Sequence, residues 1–265
     1  MIKLVGIILL LVNCNSDDIL IDKSKLLGSD YRLFQNTPAW ELSKSVKMED
    51  TSSILAIAKK NPGMVDYREP VYGQTLLKLA VYNHDYNSVK ALLESGADPN
   101  KRDTHDQVSA FMVAATLDEE GFPPYYSKGS PRYLKLLLRY GGNPNDDIKK
   151  EQINPDSTYN TAFLLACRSG ILEYVKILVD GGADVNYYNN SAYSALNAAT
   201  TSKNPYIVTY LLKKGADFKR PLYRNASGEN KYLIDELNSW NYKKGSAEHN
   251  EVMKILKVLK DNGDK

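Results

Sequence analysis

GQTLLKLAVYNHDYNSVKALLESGADPN, from Gly73 to Asn100, returns as TAFLLACRSGILEYVKILVDGGADVN (Thr161 to Asn186) and as SALNAATTSKNPYIVTYLLKKGADFK (Ser194 to Lys219). An interval of 21 positions separates Thr75 from Gly96, Thr161 from Gly182 and Ser194 from Gly215. A phase held that closely marks a stacked helical repeat, and such stacks usually bind other proteins rather than perform chemistry.

Each unit reads as two helices and a turn. Thr75, Ser109, Thr161 and Ser194 stand where a hydroxyl can cap the first helix. Ala80, Ala114, Ala166 and Ala199 follow at a fixed distance and let that helix lie close to its neighbours. The second helix brings an apolar stripe: Val89, Leu92 and Leu93, then Val175, Leu178 and Val179, then Val208, Leu211 and Leu212. A spacing of three and four places each set on one face. Gly96, Gly141, Gly182 and Gly215 come next, where a left-handed residue stops the helix. Asp98-Pro99-Asn100 and Asp184-Val185-Asn186 then open the turn towards the next unit.

In this order the units resemble the ankyrin repeat. That family opens its first helix with Thr-Pro-Leu-His-x-Ala; here Thr75-Leu76-Leu77-Lys78-Leu79-Ala80 and Thr161-Ala162-Phe163-Leu164-Leu165-Ala166 stand there, without the Pro or the His. The closing phrase Leu-Leu-x-x-Gly-Ala-Asp-x-Asn is met in full by Leu92 to Asn100, and by Leu211 to Lys219 except that Lys219 replaces the Asn. Two further units are degraded. One runs from Thr37-Pro38-Ala39-Trp40-Glu41-Leu42 through Ile54 to Ala58; the other, Val108 to Asn145, is lengthened by Asp118 to Ser130 and followed by a second lengthening, Asp146 to Tyr159. The resemblance implies an all-α ankyrin-repeat solenoid of about five helix-turn-helix units over residues 31–220. Residues 221–265 should form a helical C-terminal cap, from Lys231 to Trp240 and Ala247 to Asn262, with Trp240 and Tyr242 against the last unit.

The N-terminus is a different text. Lys3 precedes an apolar run, Leu4 to Val12, that is too short to span a bilayer as a helix, which takes about 20 residues. Residues 1–13 are expected to be a signal peptide. Leu11-Val12-Asn13-Cys14 resembles a bacterial lipobox, with Asn13 departing from its small-residue preference, and implies lipid on Cys14. Asn15-Ser16-Asp17-Asp18 resembles the surface-export signal of Bacteroidetes lipoproteins. Residues 14–30 would be the lipidated start and a flexible tether. The implied address is a bacterial envelope, most simply the outer membrane, on its periplasmic or surface face.

Of the two cysteines, Cys167 stands beside Ala166 where the repeat wants a small buried residue, and it reads as core. The net charge is +2, with Lys and Arg spread along the repeats. No basic stripe or run appears, so nucleic acid is not an expected partner. Catalysis has little support: His84, His105 and His249 are scattered, and no phosphate loop, HExxH or nucleophile motif is present. Asp103 and Asp106 beside His105 read as turn formers rather than as a metal or acid–base site. No cofactor or metal is expected.

Ankyrin proteins usually hold their partner in the concave surface, between the turn tips and the exposed ends of the first helices. Carried to this sequence, those positions are Arg102, His105, Asp106, Tyr188, Asn190, Ser191 and Tyr193 at the turns, and Tyr82, Asn83, Thr116, Leu117, Arg168, Ser169, Thr201 and Ser202 at the helix ends. The insertion adds Phe122, Tyr125 and Tyr126; it either touches a partner or folds back on the second helices. The chain has 19 Tyr against 5 Phe. Tyr174 and Tyr210 fall at core positions, whereas Tyr82, Tyr187, Tyr188, Tyr193, Tyr125 and Tyr126 fall where no packing rule asks for a ring, and tyrosine suits a binding surface. The expected function is that of a non-catalytic protein-binding module, monomeric and lipid-anchored. Three roles stay open: immunity against a delivered toxin, a scaffold or regulatory subunit of an envelope complex, and an accessory subunit of a surface complex for glycan or peptide uptake.

Overall fold

In the computed structural model, which describes residues 21–116, 131–146, 161–188 and 193–263, each expected hydroxyl caps a helix. Thr75, Ser109, Thr161 and Ser194 accept from the backbone N–H three residues on, all at 3.2 Å. The helices come in five pairs: α1 (Trp40–Lys47) and α2 (Thr51–Lys60), α3 (Leu76–Tyr82) and α4 (Tyr86–Glu94), α5 (Ala110–Ala114) and α6 (Pro131–Arg139), α7 (Ala162–Ser169) and α8 (Leu172–Asp180), α9 (Ala195–Thr201) and α10 (Pro205–Lys213). First helices stack on first helices and second on second, giving an inner and an outer layer. The all-α solenoid read from the sequence is the fold.

The core lies between the layers. Ala80, Ala166 and Ala199 are fully buried, and so are Val89, Leu92, Val175, Leu178, Val208 and Leu211 from the second-helix stripes. Burying one such aliphatic side chain contributes about 1.5–3 kcal/mol. Cys167 is buried among them, and that burial pushes its thiol well above the ordinary range. Gly96, Gly141, Gly182 and Gly215 close the second helices at φ between 88° and 92°, the left-handed region that a Cβ disfavours.

The closing phrase acts across units. Asn100 donates to the Gly141 carbonyl (2.9 Å) and accepts from Asn143 N (2.8 Å). Asn145 does the same with Gly182 (2.9 Å) and Asp184 N (2.8 Å), and Asn186 with Gly215 (3.1 Å) and Asp217 N (2.7 Å). Each amide thus ties one turn to the next. Asp66 supplies the acceptor half in the first unit, taking Asp98 N at 3.1 Å, and its burial raises its carboxyl above the usual range.

Three places depart from expectation. The last stretch of the anticipated tether is docked: the Leu26, Gly28 and Ser29 carbonyls accept from Tyr72 Oη (3.1 Å), Gln74 Nε2 (2.9 Å) and Asn83 Nδ2 (3.0 Å). A short 3-10 turn, Tyr31–Phe34, follows and buries Leu33 and Phe34 completely against α1. In the third unit Gly142 occupies the place of Ala97, Ala183 and Ala216; a Cβ there would meet the Phe111 ring at 2.7 Å. Finally, the cap contains an antiparallel hairpin, β1 (Tyr223–Arg224) with β2 (Asn230–Lys231), before α11 (Leu233–Ser239) and α12 (Ala247–Gly263). Trp240 is buried in an edge-on contact with Tyr242, whose hydroxyl donates to the Lys203 carbonyl of the last unit.

Candidate binding surface

The turns project from the inner layer as a row of tips, and their rigidity is local in origin. Asp103 is the clearest case. Its Oδ1 accepts three backbone N–H groups, from His105 (2.9 Å), Asp106 (2.7 Å) and Gln107 (3.0 Å). Its Oδ2 pairs with the Lys78 ammonium from the preceding unit, and both residues are buried. Lys78 stands where the family has His, so a cation from α3 locks the following turn. Asn197 at the matching place in α9 reaches the Leu222 carbonyl of the next hairpin at 2.9 Å. Asp103 is therefore a turn former, as its setting in the sequence implied.

The residues expected to meet a partner divide into three groups. Exposed at the surface are Tyr82 (52%), Tyr188 (38%), His105 and Asp106, with Arg168 and Thr201 also solvent-facing. The Tyr188 ring has the Arg220 guanidinium 5.9 Å from its centroid, and His105 meets the Tyr72 ring edge-on at 5.7 Å. Tyr193 is half-buried beside Ser194, which bridges to Tyr188.

A second group serves the fold. Arg102 is a strut, with Nη1 donating to the Gln107 carbonyl (2.7 Å) and Nη2 to the Asp146 carbonyl (2.7 Å), and an ion pair to the Asp146 carboxylate at 3.0 Å. Asn83 holds Ser29. The hydroxyls of Thr116, Ser169 and Ser202 turn back on their own helices, onto Val113 (2.9 Å), Ala166 (2.8 Å) and Ala199 (2.9 Å). Such back-bonding satisfies carbonyls that a helix end leaves open. Tyr187, read as a tip residue, packs half-buried against the core instead. Leu117, Phe122, Tyr125, Tyr126, Asn190 and Ser191 form the third group and lie outside the described residues, as does Cys14.

Among the described residues no cluster of metal-binding side chains occurs, and no helix is long and apolar enough to cross a membrane. Stacked helix pairs, a hydrogen-bonded row of turns and exposed rings at a turn (Tyr188) and at a first-helix end (Tyr82) mark a protein-binding solenoid.

Known proteins agree. A family model for ankyrin repeats in three copies matches residues 125–221, and a single-repeat model matches residues 72–104. The human Notch-regulated ankyrin repeat-containing protein is 30% identical over 108 residues, covering 41% of this chain and 91% of that protein. Alpha-latrotoxin-Lg1a of Latrodectus geometricus is 28% identical over 161 residues, which are 61% of this chain and only 10% of the toxin. The crystal structure of EF0377, an ankyrin repeat protein, superposes with a TM-score of 0.54 at 22% identity, over 83% of this chain and 96% of that one. The chain belongs to the ankyrin-repeat family.

Proposed function

We propose that this protein is a non-catalytic module that grips one partner protein across its turn tips and inner face, held at a bacterial envelope by lipid on Cys14. The observation that carries the binding reading is the pair of exposed rings, Tyr82 at the end of helix α3 and Tyr188 just after Asn186 of the asparagine row. Tyrosine on a rigid support gives contact area at low entropic cost. The anchor rests on the Leu11 to Cys14 resemblance. A single anchored binder without catalytic parts fits immunity against a toxin delivered by neighbouring cells.

The test is to recover what co-purifies with the protein from envelope and secreted fractions of its own organism. One stoichiometric partner that kills cells lacking this protein is the expected result; several weaker partners whose loss kills nothing would make it a scaffold. Tyr82→Ala with Tyr188→Ala should weaken the complex by a few kcal/mol at most while leaving the unfolding temperature nearly unchanged. Fatty-acid labelling that disappears in Cys14→Ser is expected, and labelling that persists would remove the anchor.

A further inference from the structure

The cations that look dispersed in the linear sequence are gathered by the repeat. The fifth residue of each outer helix is Leu55, Lys90, Lys135, Lys176 and Thr209, and the ninth is Lys59, Glu94, Arg139, Asp180 and Lys213. Apart from Thr209, which Glu251 of α12 covers at 2.7 Å, all of these are exposed. Lys90, Lys135 and Lys176 therefore form a row running from helix to helix across the back of the solenoid. Packed neighbouring helices usually lie about 8–10 Å apart, which sets the scale of each step.

In all, the five outer helices carry eight basic and three acidic residues, every one of them exposed. Lys90 meets Glu94 at 3.7 Å and Lys135 meets Glu173 at 3.5 Å, with lysine side chains 56% and 57% exposed. Exposed pairs of that kind are weak and give way to a stronger anion. The described turns at the other edge are close to balanced, with Asp98, Asp106, Asp184 and Asp217 set against Lys101, Arg102, Lys219 and Arg220. Exposed apolar side chains stand at the two ends of the row, Leu55 at 41% on α2 and Met253 at 52% and Val258 at 49% on the cap helix α12 that packs on α10. The expectation that the chain has no basic stripe is thus corrected over the second, third and fourth units, where an outer-helix lysine recurs once per repeat.

We infer that this outer-helix face lies against an anionic bilayer, its lysines on phosphate headgroups, so that the turn tips point away from the membrane. Exposed lysines with exposed apolar side chains at either end of their row suit a headgroup layer. The choice of a bilayer over another polyanion rests on the envelope address proposed above, whereas the stripe itself does not. The full chain carrying Cys14→Ser, which removes any lipid, is sedimented with phosphatidylcholine vesicles and with vesicles in which about a third of the lipid is phosphatidylglycerol. Because every variant shares the same N-terminus with Lys3, comparing each variant's ratio with the parent's cancels what that segment contributes.

We expect at least tenfold preference for the anionic vesicles, falling as salt rises. The triple variant Lys90→Gln, Lys135→Gln, Lys176→Gln should lower that preference about tenfold or more, at about fivefold for each cation in contact. Lys101→Gln with Lys219→Gln, on the turn edge, should leave it unchanged. A ratio near one, or a triple variant that matches the parent, overturns the inference. So does a triple variant that loses retention on DNA or on an acidic protein while its vesicle ratio stays put. Because Cys14 is absent throughout, failure here leaves the anchor untouched, and failure of fatty-acid labelling leaves this result untouched.

Discussion

Replacing Asn145 with alanine probes whether the asparagine row holds the stack together. The amide bridges the third unit to the fourth through two hydrogen bonds, 2.9 Å to the Gly182 carbonyl and 2.8 Å from Asp184 N. A typical intramolecular hydrogen bond is worth about 0.5–1.5 kcal/mol net, so two give about 1–3 kcal/mol. Both bonds are solvent-exposed, and water can satisfy the orphaned groups, which pulls the expected loss down to about 1–2 kcal/mol. For a chain of this length each kcal/mol moves the thermal midpoint by about 2–4 °C, so Asn145→Ala should melt roughly 2–8 °C lower. Urea unfolding followed by far-ultraviolet circular dichroism measures the same loss. Lys219→Ala is the control, because Lys219 occupies the equivalent place in the last unit, where no further repeat follows. Asn145→Asp copies the arrangement of Asp66, keeping the acceptor and losing the donor, and should fall between the two. If Asn145→Ala and Lys219→Ala agree within about 0.5 kcal/mol, the row is ornamental and stacking rests on the apolar layers alone.

Lys78→Ala should cost about 3–5 kcal/mol in chemical denaturation, because it strands the buried Asp103 carboxylate; a cost under about 1 kcal/mol would show that the three turn amides suffice. Gly142→Ala should destabilise by about 1–3 kcal/mol, since its methyl collides with the Phe111 ring and the Leu137 carbonyl; Phe111→Leu should recover part of that loss. Burial raises the Asp85 carboxyl above its ordinary 3.8 even though Tyr31 Oη donates to it at 2.5 Å. A raised carboxyl means that the folded state takes the proton first. Ionised Asp85 therefore weakens the fold at neutral pH, and the penalty fades as pH falls through its raised pKa towards 3.8. Asp85→Asn should match or exceed the parent's thermal midpoint at pH 7, with the difference shrinking as the solution is acidified. A difference that grows on acidification would reverse the sign of the argument.

The features legible in the sequence are those whose chemistry is local. A hydroxyl caps three residues on, a glycine closes its own helix, and an aliphatic stripe needs only its own period, so Thr75, Gly96 and Leu92 announced their roles. Where a residue's partner lies one unit away, sequence showed its identity but not its task. Asn100 was visible as the last word of a phrase, and its hold on Gly141 was not. Asp66 had no phrase around it at all. Tyr31 to Phe34 carry no repeat period, and their docking depends on α1 and on Asp85 ahead of α4, which Tyr31 reaches across 54 positions. The binding surface was half legible for the same reason: Tyr82 and Tyr188 are exposed as expected, but Arg102 and Asn83 find partners in Asp146 and Ser29, far along the chain. The basic back escaped notice because its members are separated by whole repeats.

Lys219 at the end of the asparagine row has a consequence for how such a chain can lengthen. A duplicated copy of the second or fourth unit would arrive carrying Asn100 or Asn186, already fitted with the amide that hooks onto whatever turn comes next. A copy of the fifth unit would bring Lys219 and leave an unhooked seam in the middle of the array. Growth is thus open from within and shut at the tail, where the hairpin docked through Asn197 takes the place of another turn.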